Sequence, residues 1–305
     1  MKIVSVINYK GGVGKTTLTA NLGAYVASQD KRVLLIDLDP QTHLTFNFIS
    51  PQEWQERYEA NKTLRNYFEP ITKSSGDIVP LSEFAIQARA GDKTLDIISS
   101  HLNLINSEVD LASMATGATI PMLAANSLKT YSYLRNGLQE LQDNYDLCLI
   151  DCPPNFNVLV KNALLASNYY LIPTKLDYLS TVLGITNLQS SIASFMKQYD
   201  DYRDILNDRK YLPVFLSVLG VVPMMVNYLK DDKIYNVQDE YKNALQKKGY
   251  RLFTHVRNNP TMFGTAPQIG VPVVLTNPRF YQKTQRKVVD ELKQLGEEFI
   301  SAVKL

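Results

Sequence analysis

Short apolar runs alternate with longer segments of helical period along most of the chain. Ile3 to Asn8 and Val33 to Asp39 are rich in β-branched residues and leucine, and Thr16 to Ser28 between them has helical length and spacing. The alternation resumes with Leu147 to Asp151, Val158 to Ala166, Tyr169 to Pro173, a helix from about Thr181 to Tyr199, and Leu216 to Val226. The strand-like runs are apolar at successive positions, which predicts strands covered on both faces. The expected fold is therefore α/β: βαβ units around a mostly parallel twisted sheet with helices on both faces.

Between Ser50 and Lys93 this periodicity weakens. Pro51, Pro70 and Pro80 interrupt it and Thr72 to Asp77 is polar, so the stretch reads as a peripheral insertion. It opens on Ser50-Pro51-Gln52-Glu53, where Ser caps, Pro fits the first helical position and Glu reaches back, predicting a short helix from Pro51 to Ala60. Near the other end, Val288, Leu292, Leu295 and Phe299 share one helical face, predicting an amphipathic helix within Arg279 to Val303. With 305 residues, 45% of them hydrophobic, and no repeat or dividing linker, a single domain over 1–305 is expected.

Charge changes this picture little. The 32 Lys and Arg against 30 Asp and Glu leave a formal +2, so any nucleic-acid-binding surface has to be local. Cys148 and Cys152 lie in one apolar run, and His43, His101 and His255 are scattered, which fits packing in a reducing cytosol better than a disulfide framework or a metal-ligand set. Met1 to Ile7 is too short an apolar run for a signal peptide, and no stretch reaches the roughly 20 apolar residues of a membrane span. A soluble cytoplasmic protein is expected.

The chemistry starts after the first strand, at Tyr9-Lys10-Gly11-Gly12-Val13-Gly14-Lys15-Thr16-Thr17. Glycines let successive backbone N–H groups turn toward phosphates, and the following helix adds the partial positive charge of its N-terminus. Lys15 suits the β and γ phosphates of ATP, and the Thr16 hydroxyl suits Mg²⁺. Two acidic strand ends follow. Leu34-Leu35-Ile36-Asp37-Leu38-Asp39-Pro40 places Asp37 and Asp39 on one face by strand alternation, at the edge where open α/β sheets bind ligands. Leu147-Cys148-Leu149-Ile150-Asp151 brings a third carboxylate to that edge, suited to the water shell of Mg²⁺.

Tyr9 stands where the strict phosphate-loop pattern has glycine, and Lys10 is an added lysine. In this, Lys-Gly-Gly-Val-Gly-Lys-Thr-Thr resembles the deviant Walker A box of the ParA/MinD superfamily of P-loop NTPases, closest to its ParA/Soj-type partition ATPases. Asp37 to Pro40 resembles that family's second box, and Asp151-Cys152-Pro153-Pro154 its Walker B strand. Leu95 to Ser100 followed by Leu102 to Leu111 resembles the strand and helix before Walker B, and Gly264 to Pro272 the Ala-Pro loop near the adenine. The likeness spans most of the chain outside the insertion.

The resemblance implies a homodimer with ATP sandwiched at its interface, Lys10 reaching the partner's nucleotide and Asp39 directing the water for hydrolysis. Asp37 supports near the metal, and Thr16, Asp39 and Asp151 surround Mg²⁺. Gly11, Gly12, Val13, Gly14, Lys15, Thr16 and Thr17 bind the phosphates, and Asn227 and Pro267 are the expected base contacts. It further implies a ParB-like or cargo-adaptor protein that stimulates slow hydrolysis, and a nucleoid-associated ATP dimer that binds DNA non-specifically.

From Tyr228 to Arg257, Lys230, Lys233, Lys242, Lys247, Lys248, Arg251 and Arg257 outnumber Asp231, Asp232, Asp239 and Glu240, and Arg279, Lys283, Arg286 and Lys287 follow without an intervening acid. All but Lys233 and Lys242 are the expected phosphate contacts to DNA. A MinD-type membrane positioner is the alternative, and it needs a terminal amphipathic helix with a basic face; Glu297 and Glu298 weaken that reading. A metabolic P-loop enzyme is a further alternative. A cluster carrier would need cysteines in another arrangement, and a tyrosine kinase a C-terminal tyrosine cluster, where the last 25 or so residues hold Tyr281 alone.

Overall fold

The apolar runs become strands β1 (Lys2–Val6), β2 (Val33–Asp37), β3 (Ile86–Ala90), β4 (Lys93–Ile98), β5 (Leu147–Asp151), β6 (Tyr169–Lys175), β7 (Ser217–Val226) and β8 (Val256–Arg257). They form one sheet in the order β3-β4-β2-β5-β1-β6-β7-β8, parallel except where edge strand β3 runs antiparallel to β4. The computed structural model describes residues 1–73, 79–229, 232–277, 279 and 281–305. The helices are α1 (Lys15–Ser28), α2 (Pro51–Arg57), α3 (Leu64–Lys73), α4 (Leu104–Met114), α5 (Ile120–Tyr131), α6 (Tyr133–Gln139), α7 (Val158–Ala166), α8 (Ile185–Leu206), α9 (Asn236–Lys247), α10 (Pro260–Ile269) and α11 (Lys283–Val303).

Alternation along the central strands sorts side chains into two cores. Leu34 and Ile36 of β2 and Cys148 and Ile150 of β5 join the core built with α3 to α8. Val33, Leu35, Leu147 and Leu149 join the opposite core, where Leu18 and Leu22 of α1 meet Leu292, Leu295 and Phe299 of α11. Every residue of β2 and β5 is buried, as a strand covered on both faces requires. Central β1 lies between β5 and β6, so the chain leaves it first toward one edge and later toward the other. Crevices for ligands open at the carboxyl ends of strands around such a switch point.

Residues 50–93 contain more regular structure than the prolines suggested. Ser50 caps α2, its hydroxyl accepting the Glu53 N–H at 3.2 Å, and α2 ends at Arg57 rather than Ala60. Pro70 lies inside α3. Ile86, Ala88 and Ala90 of β3 are buried while Gln87 and Arg89 are exposed, a clean two-residue period on a sheet edge. Part of the polar stretch from Thr72 to Asp77 lies outside the described residues. The helix expected from Thr181 begins instead with a widened turn, Tyr178–Gly184, capped by Asp177, and continues as α8 to Leu206.

Candidate active site

β1 stops at Val6, and the next residues turn over the carboxyl edge of the sheet into α1. Gly12 and Gly14 carry φ of 66° and 92°, a region that L side chains resist, and Gly14 stands immediately before the first residue of α1. Glycines in this conformation, leading into the N-terminus of a helix, suit a loop whose amides bind anions. The Lys15 ammonium folds back over the loop, donating to the carbonyls of Asn8 at 3.2 Å and Lys10 at 3.3 Å. Burial lowers its pKa, against the opposing pull of Asp151, Cys152 and Asp39. Asn8, itself buried, fixes the start of the loop: its side-chain N–H donates to the Pro173 carbonyl of β6 at 2.8 Å, and its Oδ1 accepts the Lys10 N–H at 3.0 Å.

Two hydroxyls of α1 grip the carboxylate at the end of β5. Thr16 donates to Asp151 Oδ2 at 2.6 Å and Thr19 to Oδ1 at 3.2 Å. Burial pushes the Asp151 carboxyl up to about 7, with Asp39 adding to the rise and Thr16, Lys15 and Thr19 opposing it. Asp37 pairs in register with Asp151 on the neighbouring strand and is fully buried. Its Oδ2 accepts the N–H and the hydroxyl of Thr45, each at 2.8 Å, and its Oδ1 accepts the Asp39 N–H at 3.3 Å. Burial first and Asp151 second hold the Asp37 carboxyl well above the usual carboxylate range. β2 ends at Asp37, so Asp39 lies in the turn beyond it and the expected alternation between the two breaks off. The half-buried Asp39 accepts the Gln41 N–H on Oδ1 at 3.0 Å.

Lys10 is held within its own subunit. Its ammonium donates to both Asp177 oxygens, at 3.3 and 3.1 Å, and to the Ser180 hydroxyl at 2.8 Å. Tyr9 packs edge-on against Phe156 in the loop after β5, ring centroids 5.8 Å apart. The phosphate loop is thus tied to the ends of β5 and β6 and to the widened turn before α8, so the three motifs separated in sequence meet at one edge. Sequence reading passed over Asn8, Thr19, Thr45, Asp177 and Ser180. Two of them carried a signal: Thr19 lies one helical turn from Thr16, and Asp177 follows a strand end much as Asp39 does.

Residues 1–205, more than half of the chain, match the AAA_31 family model, an AAA domain. The chain belongs to the ParA/Soj-type AAA_31 family. The sporulation initiation inhibitor protein Soj of Bacillus subtilis is 29% identical over 278 residues, 91% of this chain and 92% of that one. The chromosome-partitioning ATPase Soj of Treponema pallidum is 26% identical over 298 residues, 94% of this chain and 97% of that one. Among solved structures, apo McdA of Cyanothece aligns with a TM-score of 0.67 and 21% identity over 99% of both chains, a likeness of fold.

Away from the phosphate edge, the other residues singled out in this AAA_31 chain lie as follows. Pro267 is not in a loop but inside α10, which Asn259 caps and Pro260 opens, and which runs to a left-handed Gly270. Asn227 is half-buried, with Oδ1 accepting from Asn258 Nδ2 at 3.1 Å. Arg257 is not a free surface cation: its side chain is 12% exposed, pairs with Glu291 at 2.7 Å and Asp232 at 3.3 Å, and lies 4.1 Å over the Tyr228 ring. Lys287 is also paired with Asp232. Lys247, Lys248, Arg251, Arg279, Lys283 and Arg286 are exposed, and Lys230 lies outside the described residues.

Proposed function

We propose that this chain binds MgATP at the carboxyl edge of its sheet, dimerises around the nucleotide and hydrolyses it, and that the ATP dimer binds DNA non-specifically to position a cargo. The observation that carries this reading is the 2.6 Å hydrogen bond from Thr16, in the first turn of α1, to Asp151 at the end of β5, beside the loop whose carbonyls accept Lys15. Amides from Gly11 to Thr17 hold the triphosphate, and Lys15 neutralises its β and γ oxygens. The residues also suit a magnesium ion. Among the described residues no group of three or more His, Cys, Asp or Glu is placed to enclose a metal, and Mg²⁺ takes few protein ligands and keeps water and phosphate oxygens. Thr16 and Asp151 would hold it, with Asp39 nearby, and when bound it would neutralise charge on the phosphates.

Asp39 orients the attacking water, and Lys10 of each subunit supplies positive charge to the other subunit's nucleotide, so that hydrolysis follows dimerisation. ATP then times the association. The exposed Lys247, Lys248, Arg251, Arg279, Lys283 and Arg286 contact DNA phosphates, and a ParB-like or cargo-adaptor protein accelerates hydrolysis. Against the membrane alternative, the apolar face of α11 is already buried on α1, and among the described residues no helix is long and apolar enough to cross a bilayer.

Binding to random duplex DNA with ATP, with ADP and without nucleotide, at two salt concentrations, tests the reading. ATP-dependent binding that weakens steeply with salt is expected. Binding confined to anionic liposomes would overturn the DNA assignment.

A further inference from the structure

We infer that Thr45 is a positioning residue for hydrolysis, holding Asp39 in place through Asp37; this rests on the reading of Asp39 as the residue that orients water. Thr45 starts the single tight turn Thr45–Asn47 and is 0% exposed. Its backbone N–H and hydroxyl both donate to Oδ2 of Asp37, while Oδ1 of the same carboxylate accepts the Asp39 N–H. On its other side the Thr45 hydroxyl accepts the Ser100 N–H at 3.4 Å, just past the end of β4. A continuous chain of hydrogen bonds therefore runs from β4, through a hydroxyl and a carboxylate, to the backbone of Asp39. The turn beyond is closed by the Thr42 N–H donating to the Asp39 carbonyl at 2.9 Å.

The hydroxyl is what this role requires. Valine at position 45 would keep the branched shape that fits the buried pocket, but would remove one of two donors from Asp37 Oδ2 and the acceptor of the Ser100 N–H. Asp37 is fully buried, where an unmet hydrogen bond is costly, so its carboxylate would turn and carry the Asp39 contact with it. Asp39 is half-buried, and among the described residues its backbone N–H donates to Asp37 Oδ1. The phosphate loop, held by Asn8, Thr16 and Thr19, makes none of these contacts. Loss of the hydroxyl should therefore impair hydrolysis and spare ATP binding.

The test compares wild type, Thr45→Val, Thr45→Ser and Asp39→Ala for ATP dissociation constant, single-turnover hydrolysis and melting temperature. Misplacement by about 1 Å costs up to about 100-fold in rate, so Thr45→Val is expected to hydrolyse at least about tenfold more slowly. Its ATP affinity should stay within about twofold, and Thr45→Ser should recover most of the rate because it restores the hydroxyl. Parallel losses of affinity and rate, or a serine variant as slow as valine, would overturn the positioning role. Wild-type hydrolysis by Asp39→Ala would instead remove the assignment of Asp39, a result separate from any behaviour of Thr45. Should Thr45→Val fail to fold, Thr45→Ala against Thr45→Ser is read by the same criteria.

Discussion

At Gly14 two costs of adding a side chain separate cleanly. An added Cβ would stand 3.0 Å from Met224 Cε, the far end of an unbranched side chain that has to give by only a few tenths of an ångström. The φ of 92° offers no such escape, and forcing an L-residue into that region costs on the order of 1–2 kcal/mol. Strain therefore dominates, and Gly14→Ala should relieve it by turning the loop amides off their common direction. Calorimetric titration should show ATP affinity reduced by about tenfold or more in a variant that still folds; unchanged affinity would mean that these amides do not hold phosphate. His255 sets a second expectation. Burial first, with Lys242 and Arg257 adding to it, pushes its imidazole down to about 4. The unfolded chain binds that proton near pH 6.5, so the contribution is fully present above about 6.5 and lost as pH falls toward 4. Between pH 7 and 4.5 the wild type should lose about 2 kcal/mol more unfolding free energy than His255→Gln, measured by urea titration. Equal losses would show that His255 is not the group responsible.

Arg257 and α11 show what an element's surroundings add to its sequence. A count of basic residues placed Arg257 on a DNA-binding surface, because its partners Glu291 and Asp232 are distant in sequence and only folding brings them together. The ion pair, with the Arg257 N–H also donating to Glu291 at 2.9 Å, fastens β8 to α11. Breaking a largely buried pair leaves a charge behind, so Arg257→Ala should cost about 2–4 kcal/mol of stability and leave the salt dependence of DNA binding unchanged. Lys283→Ala should do the reverse, preserving the melting temperature while reducing the salt slope by roughly 0.9. The helices and parallel strands of the phosphate edge were legible because one period and one unbroken order of motifs specify them. β3 was also written in the sequence, as alternating Ile86, Ala88 and Ala90, but the prolines upstream masked it. The loop that the resemblance implied around Pro267 is instead helix: a capped start at Asn259 and seven preceding helical residues carry α10 through the proline. The brace from Thr45 to Asp37 was not legible, and of the anchor of Lys10 only the place of Asp177 at a strand end was, since each contact depends on which side chains face one another across the sheet edge.

For the molecule as a whole, the position of Lys10 bears directly on assembly. In the isolated subunit its ammonium sits on Asp177 and Ser180, and to serve a partner's nucleotide it must leave them. Lys10 and Asp177 are 41% and 42% exposed, and an ion pair so open to solvent and salt contributes at most about 1 kcal/mol. Release is thus cheap against the attraction of a triphosphate, and because a dimer opens two such contacts the bias on assembly is at most about fivefold per subunit and about 30-fold per dimer. Asp177→Asn removes the charge while an asparagine still caps the Ser180 N–H, now accepted by Asp177 at 2.7 Å. With ATP present and Asp39→Ala slowing turnover, sedimentation should find the monomer–dimer midpoint of Asp177→Asn shifted to protein concentrations up to about 30-fold lower, since both subunits lose the contact. Lys10→Ala should bind ATP as one subunit but lose the rise in hydrolysis per subunit that wild type shows with increasing protein concentration. If that rise survives the loss of Lys10, the lysine acts only within its own chain, and the charge completing the site across the dimer has to come from another residue.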